Sequence, residues 1–160
     1  FDSEYLKTYL EDGNYGTGYA HYWFQRLEYQ LWMQYKIGGE WAQDVGESAT
    51  RIDGYRIRAR RSVEHIHPQT PGEEFRELDD SVLNSFGNLA LLSPSENSSN
   101  SNRPPGEKAN SLMQGTLTSL KMYHYLCIIG PSNAGKYGVA ALATHERVMI
   151  DLLLEPRLKE

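Results

Sequence analysis

Residues 19–36, YAHYWFQRLEYQLWMQYK, set Ala20, Trp23, Phe24, Leu27 and Leu31 at spacings of three and four, the period of a helix with one apolar face. Such a density of aromatic rings could serve as a base-stacking platform. An aromatic stripe at helical spacing is far more often core packing, and core is the reading adopted. A second stretch, about 134–154, carries Val139, Leu142, Val148, Ile150 and Leu153 and is expected to pack against the first. A third helix is expected from about Glu107 to Tyr125, divided from the last by the loop IIGPSNAG.

Between the first helix and these two, the pattern changes. GNYGTG and IGGEWAQDVGESATR read as loops. RIDGYRIRARR, residues 51–61, holds five arginines. As an extended strand it would set Arg56, Arg58 and Arg60 on one face and Tyr55, Ile57 and Ala59 on the other, either as a solvated surface or as a phosphate contact. It leads into SVEHIHPQ, then into the acidic loop or short helix TPGEEFRELDD, and then into the apolar stretch Leu89 to Leu92. Ser93-Pro94-Ser95-Glu96 is a helix start, with Ser93 as N-cap, Pro94 at N1 and Glu96 closing a capping box. Asn97 therefore falls in the first turn or so of a short helix that must end before Pro104 and Pro105. No repeat is present, and the fold class is α+β, mostly helical, in one domain over residues 1–160.

At 160 residues the chain is long enough to bury a core without disulfides or a structural metal. The 39% hydrophobic and 23% charged content excludes a disordered chain, and no apolar run approaches the roughly 20 residues of a membrane span. A net charge of −5 excludes nucleic-acid binding by bulk attraction, so such binding must be local. Cys127, the single cysteine, rules out an internal disulfide and fits a reducing, cytoplasmic compartment. A first residue of Phe rather than Met is what the C-terminal part of a longer protein would show.

Two familiar motifs fail on inspection. Gly130-Pro131-Ser132-Asn133-Ala134-Gly135-Lys136 has the GxxxxGK spacing of a phosphate loop, but Tyr137 stands where a magnesium-binding hydroxyl is needed, and too little chain follows to build a nucleotide-binding sheet. His65 and His67 would share a strand face and His124 and His145 could join them on zinc, yet no HExxH or CxxC pattern accompanies them.

A third constellation is spread more widely. Glu64-His65-Ile66-X-Pro68-Gln69 is followed by Gly87-Asn88-Leu89-X-Leu91-Leu92, then by Asn97, Ser101-Asn102 and Lys108. This series resembles the HNH branch of the His-Me finger (ββα-metal) nucleases, and most closely the C-terminal nuclease domain of GmrSD-type modification-dependent restriction enzymes and relatives such as SspE. The resemblance places a ββα-metal core at about 60–103, embedded in a helical domain, and the flanking helices look like the family's as well. It implies a metal-dependent DNA endonuclease, the cleavage module of an anti-phage restriction system whose N-terminal part is a ParB-like nucleotide-binding domain.

The resemblance also implies roles. His65 is the general base, imidazole being the side chain suited to proton transfer near neutrality. Asn88 braces the loop and helps orient that base. Glu64 and Asn97 match the positions that hold a single Mg²⁺ or Mn²⁺, both offering the oxygen ligands such cations prefer. Glu64 is a longer reach than the Asp of many HNH enzymes. Arg60, Arg61, Asn102 and Lys108 are candidate DNA contacts, His67 receives no role, and the single cysteine excludes the cysteine-bound zinc that staples some HNH domains. Two rival readings keep the fold without the activity: a nucleic-acid-binding module, which the acidic charge disfavours, and a partner-docking domain, in which the same polar residues only cap strands and helices.

Overall fold

The computed structural model describes residues 2–36, 52–57, 61–70, 78–100, 102–115, 117–132 and 136–154. Helix α1, Ser3–Glu11, starts where the Asp2 carboxylate accepts the amides of Glu4 and Tyr5, each at 3.1 Å, a charge placed at the positive end of the helix. A 3₁₀ turn at Gly16–Gly18 leads into α2, His21–Lys36. The buried face of α2 is Phe24, Leu27, Leu31 and Tyr35, whereas Tyr22 and Tyr29 are exposed.

The expected basic strand is not a strand where it is described. Residues 52–54 make a helical turn, Tyr55 is 5% exposed and Ile57 is 56% exposed, which breaks the predicted alternation. Arg51, Arg58, Ala59 and Arg60 lie outside the described residues.

Strand β1, Ser62–His65, pairs antiparallel with β2, Leu89–Leu92, in the register Ser62 to Leu92, Val63 to Leu91, Glu64 to Ala90 and His65 to Leu89. Between them lie α3, Asp80–Leu83, and a 3₁₀ turn, Phe86–Asn88. The four apolar residues of β2 read as a continuous run because both of its faces are covered. Leu89 and Leu91 join one cluster with Leu6, Leu10, Phe24, Leu27, Leu31, Phe86, Met149 and Leu153. Ala90 and Leu92 join another with Ile66, Met122, Tyr125, Leu126, Ala141 and Leu142. A two-stranded sheet is marginal alone, and here packing on both sides of β2 supplies what the ladder does not.

The capping box after β2 is formed, with the Ser93 amide on Glu96 Oε2 at 2.7 Å and the Glu96 amide on Ser93 Oγ at 3.4 Å. It opens α4, Pro94–Asn100. Pro104 then serves as N-cap of α5, Pro105–Gln114. The single helix expected over 107–125 is two. The chain breaks after Gln114 and restarts at Leu120, where Ser119 Oγ accepts the Met122 amide at 3.1 Å.

The restart has a second cause, on another helix. Glu28 of α2 is 2% exposed. Its Oε1 accepts from Ser119 Oγ and the Lys121 amide, both at 3.0 Å, and its Oε2 from the Leu120 amide and Tyr55 Oη, both at 2.7 Å. A carboxylate at a helix N-terminus satisfies amides that have no partner within the helix and complements the dipole. Helix α6 then runs from Leu120 through a π-helical stretch, His124–Ile129, to Gly130–Ser132. YLCIIG is therefore helix, where a phosphate loop needs a strand. Helix α7, Val139–Leu154, packs on α2 as expected. Gly87 allows its close approach to the 3₁₀ turn, since a Cβ there would lie 2.7 Å from Glu146 Cβ and 2.9 Å from the Leu142 carbonyl. No helix among the described residues is long and apolar enough to cross a membrane.

Candidate active site

Strand β1 presents its side chains alternately, so Ser62 and Glu64 share one face and Val63 and His65 the other. Glu64 and His65 are both half-buried. Ser62 Oγ donates to Glu64 Oε1 at 2.6 Å, and Oε2 makes no hydrogen bond among the described residues. His65 Nε2 lies 3.0 Å from Asn84 Oδ1. A carbonyl oxygen only accepts, so this contact assigns the proton of the neutral ring to Nε2 and leaves Nδ1 with its lone pair. The N-terminal turn makes room for this contact. Gly16, at φ +50°, faces Asn84, and a Cβ on it would come within 2.9 Å of Asn84 Oδ1.

Beyond His65 the ladder gives way to side-chain braces. Asn88 is fully buried. Its backbone carbonyl accepts the Ile66 amide at 2.7 Å, its Oδ1 accepts the His67 amide at 2.8 Å, and its Nδ2 donates to the carbonyls of Leu83 at 2.8 Å and His67 at 3.4 Å. Asn88 thus ties the segment leaving His65 to the turn entering β2, and its side chain does not reach solvent.

Two lysines complete the crossing. Lys108 is 2% exposed, and its Nζ donates to the carbonyls of Ile66 at 2.5 Å and His65 at 3.3 Å. Burial pushes its ammonium down to about 8, with the nearby Glu64 carboxylate opposing the shift. Lys121, 1% exposed, donates to Leu89 O at 2.5 Å, Phe86 O at 2.6 Å and Gly87 O at 3.4 Å, and lies 4.8 Å from the Phe86 ring centroid. Burial lowers it to about 7, against the pull of Glu146 and Glu28. Glu146 Oε2 accepts the Gly87 amide at 2.8 Å. Asn84, Lys121, Glu146 and Glu28 are missed by sequence reasoning. Only Asn84 carries a local signal, as a polar residue four positions before Asn88.

His67 is half-buried, with Nε2 2.7 Å from Tyr125 Oη, and burial, helped by the charge of Lys108, pushes its pKa down to about 4. His124 Nδ1 lies 2.6 Å from Tyr35 Oη, and its ring stacks on that of His145 at 6.0 Å. The histidines are thus distributed over separate partners. Among the described residues no three His, Cys, Asp or Glu side chains gather into a metal-holding group.

Asn97 is half-buried, and its amide donates to Ser93 O at 3.0 Å; its side chain makes no hydrogen bond among the described residues. Arg61 is half-buried and gives Nη2 to the carbonyls of Thr118 and Arg56; the Thr118 hydroxyl in turn donates to Glu96. Arg60 lies outside the described residues. Asn102 is exposed and lines a cleft of about 800 Å³ with His67, Pro68, Pro105, Lys136 and Tyr137. Glu64, His65, Asn88 and Lys108 therefore gather at the end of β1, whereas Arg61 sits at the start of that strand and Asn102 on the cleft beside His67.

The donor chemistry fits a hard divalent ion better than zinc. Glu64 Oε2 and the side-chain Oδ1 of Asn97 are ligand oxygens with no competing partner among the described residues, and Mg²⁺ takes one or two such protein ligands while retaining several waters. A closed zinc site would need four nitrogen or sulfur ligands, which the described residues at this end of the hairpin do not offer.

No curated protein and no solved structure matches the chain. The family described as GmrSD restriction endonucleases, C-terminal domain, matches residues 7–152. That span runs from α1 to the last turns of α7 and takes in the hairpin, its braces and both buried lysines, so the chain belongs to the family of C-terminal domains of GmrSD restriction endonucleases.

Proposed function

We propose that this restriction endonuclease domain is an HNH-type nuclease that hydrolyses phosphodiester bonds of DNA with one bound divalent cation, Mg²⁺ or Mn²⁺. The observation that carries the reading is the His65 ring: half-buried at the end of β1, held through Nε2 by Asn84, with no partner on Nδ1 among the described residues. In the reaction Nδ1 takes the proton from the attacking water, and the imidazolium formed is held by its Nε2–H bond to Asn84. Asn88 holds the backbone that leaves this base, at Ile66 and His67, against the turn entering β2. Glu64 and Asn97 would hold the cation, which supplies charge stabilisation for the phosphate oxygens and the leaving 3′-oxygen.

Arg60 and Asn102 contact phosphates beside the scissile bond, in keeping with a local rather than global attraction to DNA, whereas the Arg61 guanidinium is turned inward to the Thr118 and Arg56 carbonyls and is left out of this contact. The domain serves as the cleavage module of an anti-phage, modification-dependent restriction system in which a ParB-like nucleotide-binding domain of the same protein or complex gates cutting.

A plasmid-nicking assay with Mg²⁺ or Mn²⁺ tests this. Wild type is expected to convert supercoiled plasmid to relaxed or linear product. His65→Ala and Asn97→Ala are expected to lose on the order of a hundredfold or more in rate, the loss of a general base and of a cation ligand. Cutting by both variants at the wild-type rate overturns the site, and binding of intact DNA without cutting under either metal would instead make this a binding module.

A further inference from the structure

We propose that Lys108 is a positioning residue that fixes the backbone of the candidate base, and not a contact to DNA. This rests on the nuclease reading of His65. The β1–β2 ladder ends at the His65–Leu89 pair, and just beyond it the chain must turn while its carbonyls still need donors. The carbonyl oxygens of His65 and Ile66 both receive their hydrogen bonds from Lys108 Nζ. The side chain is 2% exposed, so its ammonium does not face the solvent from which a phosphate would approach.

Burying an ammonium is costly, and two charge-assisted bonds to carbonyls, a short one to Ile66 and a longer one to His65, are what offset it. The result is that the peptide units carrying His65 and Ile66 are pinned from α5, on one side, as Asn88 pins Ile66 and His67 from the other. With both braces in place the imidazole has little backbone freedom. A misplacement of about 1 Å at a reacting group can cost on the order of a hundredfold in rate.

A DNA contact and a positioning strut differ in which constant they move. Lys108→Met keeps the length of the stem and removes the charge. It is expected to lower kcat for plasmid nicking on the order of 10- to 100-fold. The Kd for uncleaved duplex, measured with the metal chelated, should stay within about twofold, and the slope of log K against log salt should be unchanged. Should Lys108→Met fold poorly by circular dichroism, Lys108→Ala with added n-butylamine replaces it, and the amine, unlike n-butanol, should restore part of kcat.

The proposal is overturned if kcat at saturating DNA is unchanged in Lys108→Met. It is also overturned if DNA binding weakens with a salt slope smaller by about 0.9, the mark of one lost phosphate contact. Failure of the underlying nuclease reading looks different: wild type then fails to cut, or His65→Ala cuts normally, and the proposal falls with its premise.

Discussion

Glu28→Gln is the substitution that most directly tests how the helical frame is held. The carboxylate accepts four hydrogen bonds, two at each oxygen, and each oxygen serves one backbone amide, Lys121 at 3.0 Å or Leu120 at 2.7 Å, and one hydroxyl, Ser119 or Tyr55. A glutamine of the same shape must turn its NH₂ toward one of these pairs. The hydroxyl there can rotate and accept, but the amide cannot, so in either orientation one buried N–H is left facing another donor. An unsatisfied buried donor costs about 1–3 kcal/mol, and the remaining bonds fall from charge-assisted to neutral strength. Relief of the desolvated charge returns part of this. The net expectation is a loss of about 3 kcal/mol, or roughly 6–12 °C in Tm for a chain of this size. Urea unfolding followed by circular dichroism measures it. A midpoint within the error of wild type, at unchanged slope, would refute the claim that Glu28 organises the start of α6.

Acidification should destabilise the fold through its buried imidazoles. His67 and His124 are both lowered to about 4 by burial, so between pH 4 and about 6.5 the unfolded chain binds protons that the folded chain refuses. Their contribution is complete above about pH 6.5 and is lost as pH falls toward 4, by roughly 2 kcal/mol for each between pH 7.5 and 5. Urea midpoints at the two pH values check this, and a flat profile would contradict it. Gly87→Ala should cost about 1–3 kcal/mol, because its Cβ would meet α7 at 2.7 Å from Glu146 Cβ and 2.9 Å from Leu142 O. A wild-type urea midpoint for this variant would mean that the contact between the turn and α7 relaxes freely.

The elements legible in the sequence are those whose signal is local. The apolar periods of α2 and α7, the unbroken run of β2 and the capping box at Ser93 each record which faces are covered within a few residues of chain. The break between α5 and α6 was not legible, because the carboxylate that restarts the helix belongs to α2, some ninety positions earlier. The π-helical stretch was not legible either, since an apolar run that short does not distinguish strand from helix. At the site, the resemblance to the HNH nucleases picked out Glu64, His65, Asn88 and Lys108, which the fold does gather at one strand end. Spacing carries no information on where a side chain points. It could not show that Lys108 turns inward to carbonyls, nor that a lysine in the apolar company of α6 would reach the entry of β2.

The two buried lysines have a consequence for when the site comes into being. His65, Asn88 and Asn97 are all translated before Lys108, Lys121 and Glu146, which secure the backbone at the end of β1 and the entry of β2. A nascent chain that has emerged only as far as Asn100 carries the whole hairpin and helix, yet the carbonyls of His65, Ile66, Phe86 and Leu89 still lack their donors. The arrangement therefore matures last, when α5, α6 and α7 dock. A proteolytic cut in the turn after α4 that released the C-terminal helices would strip these carbonyls of their donors while leaving each of those three residues intact.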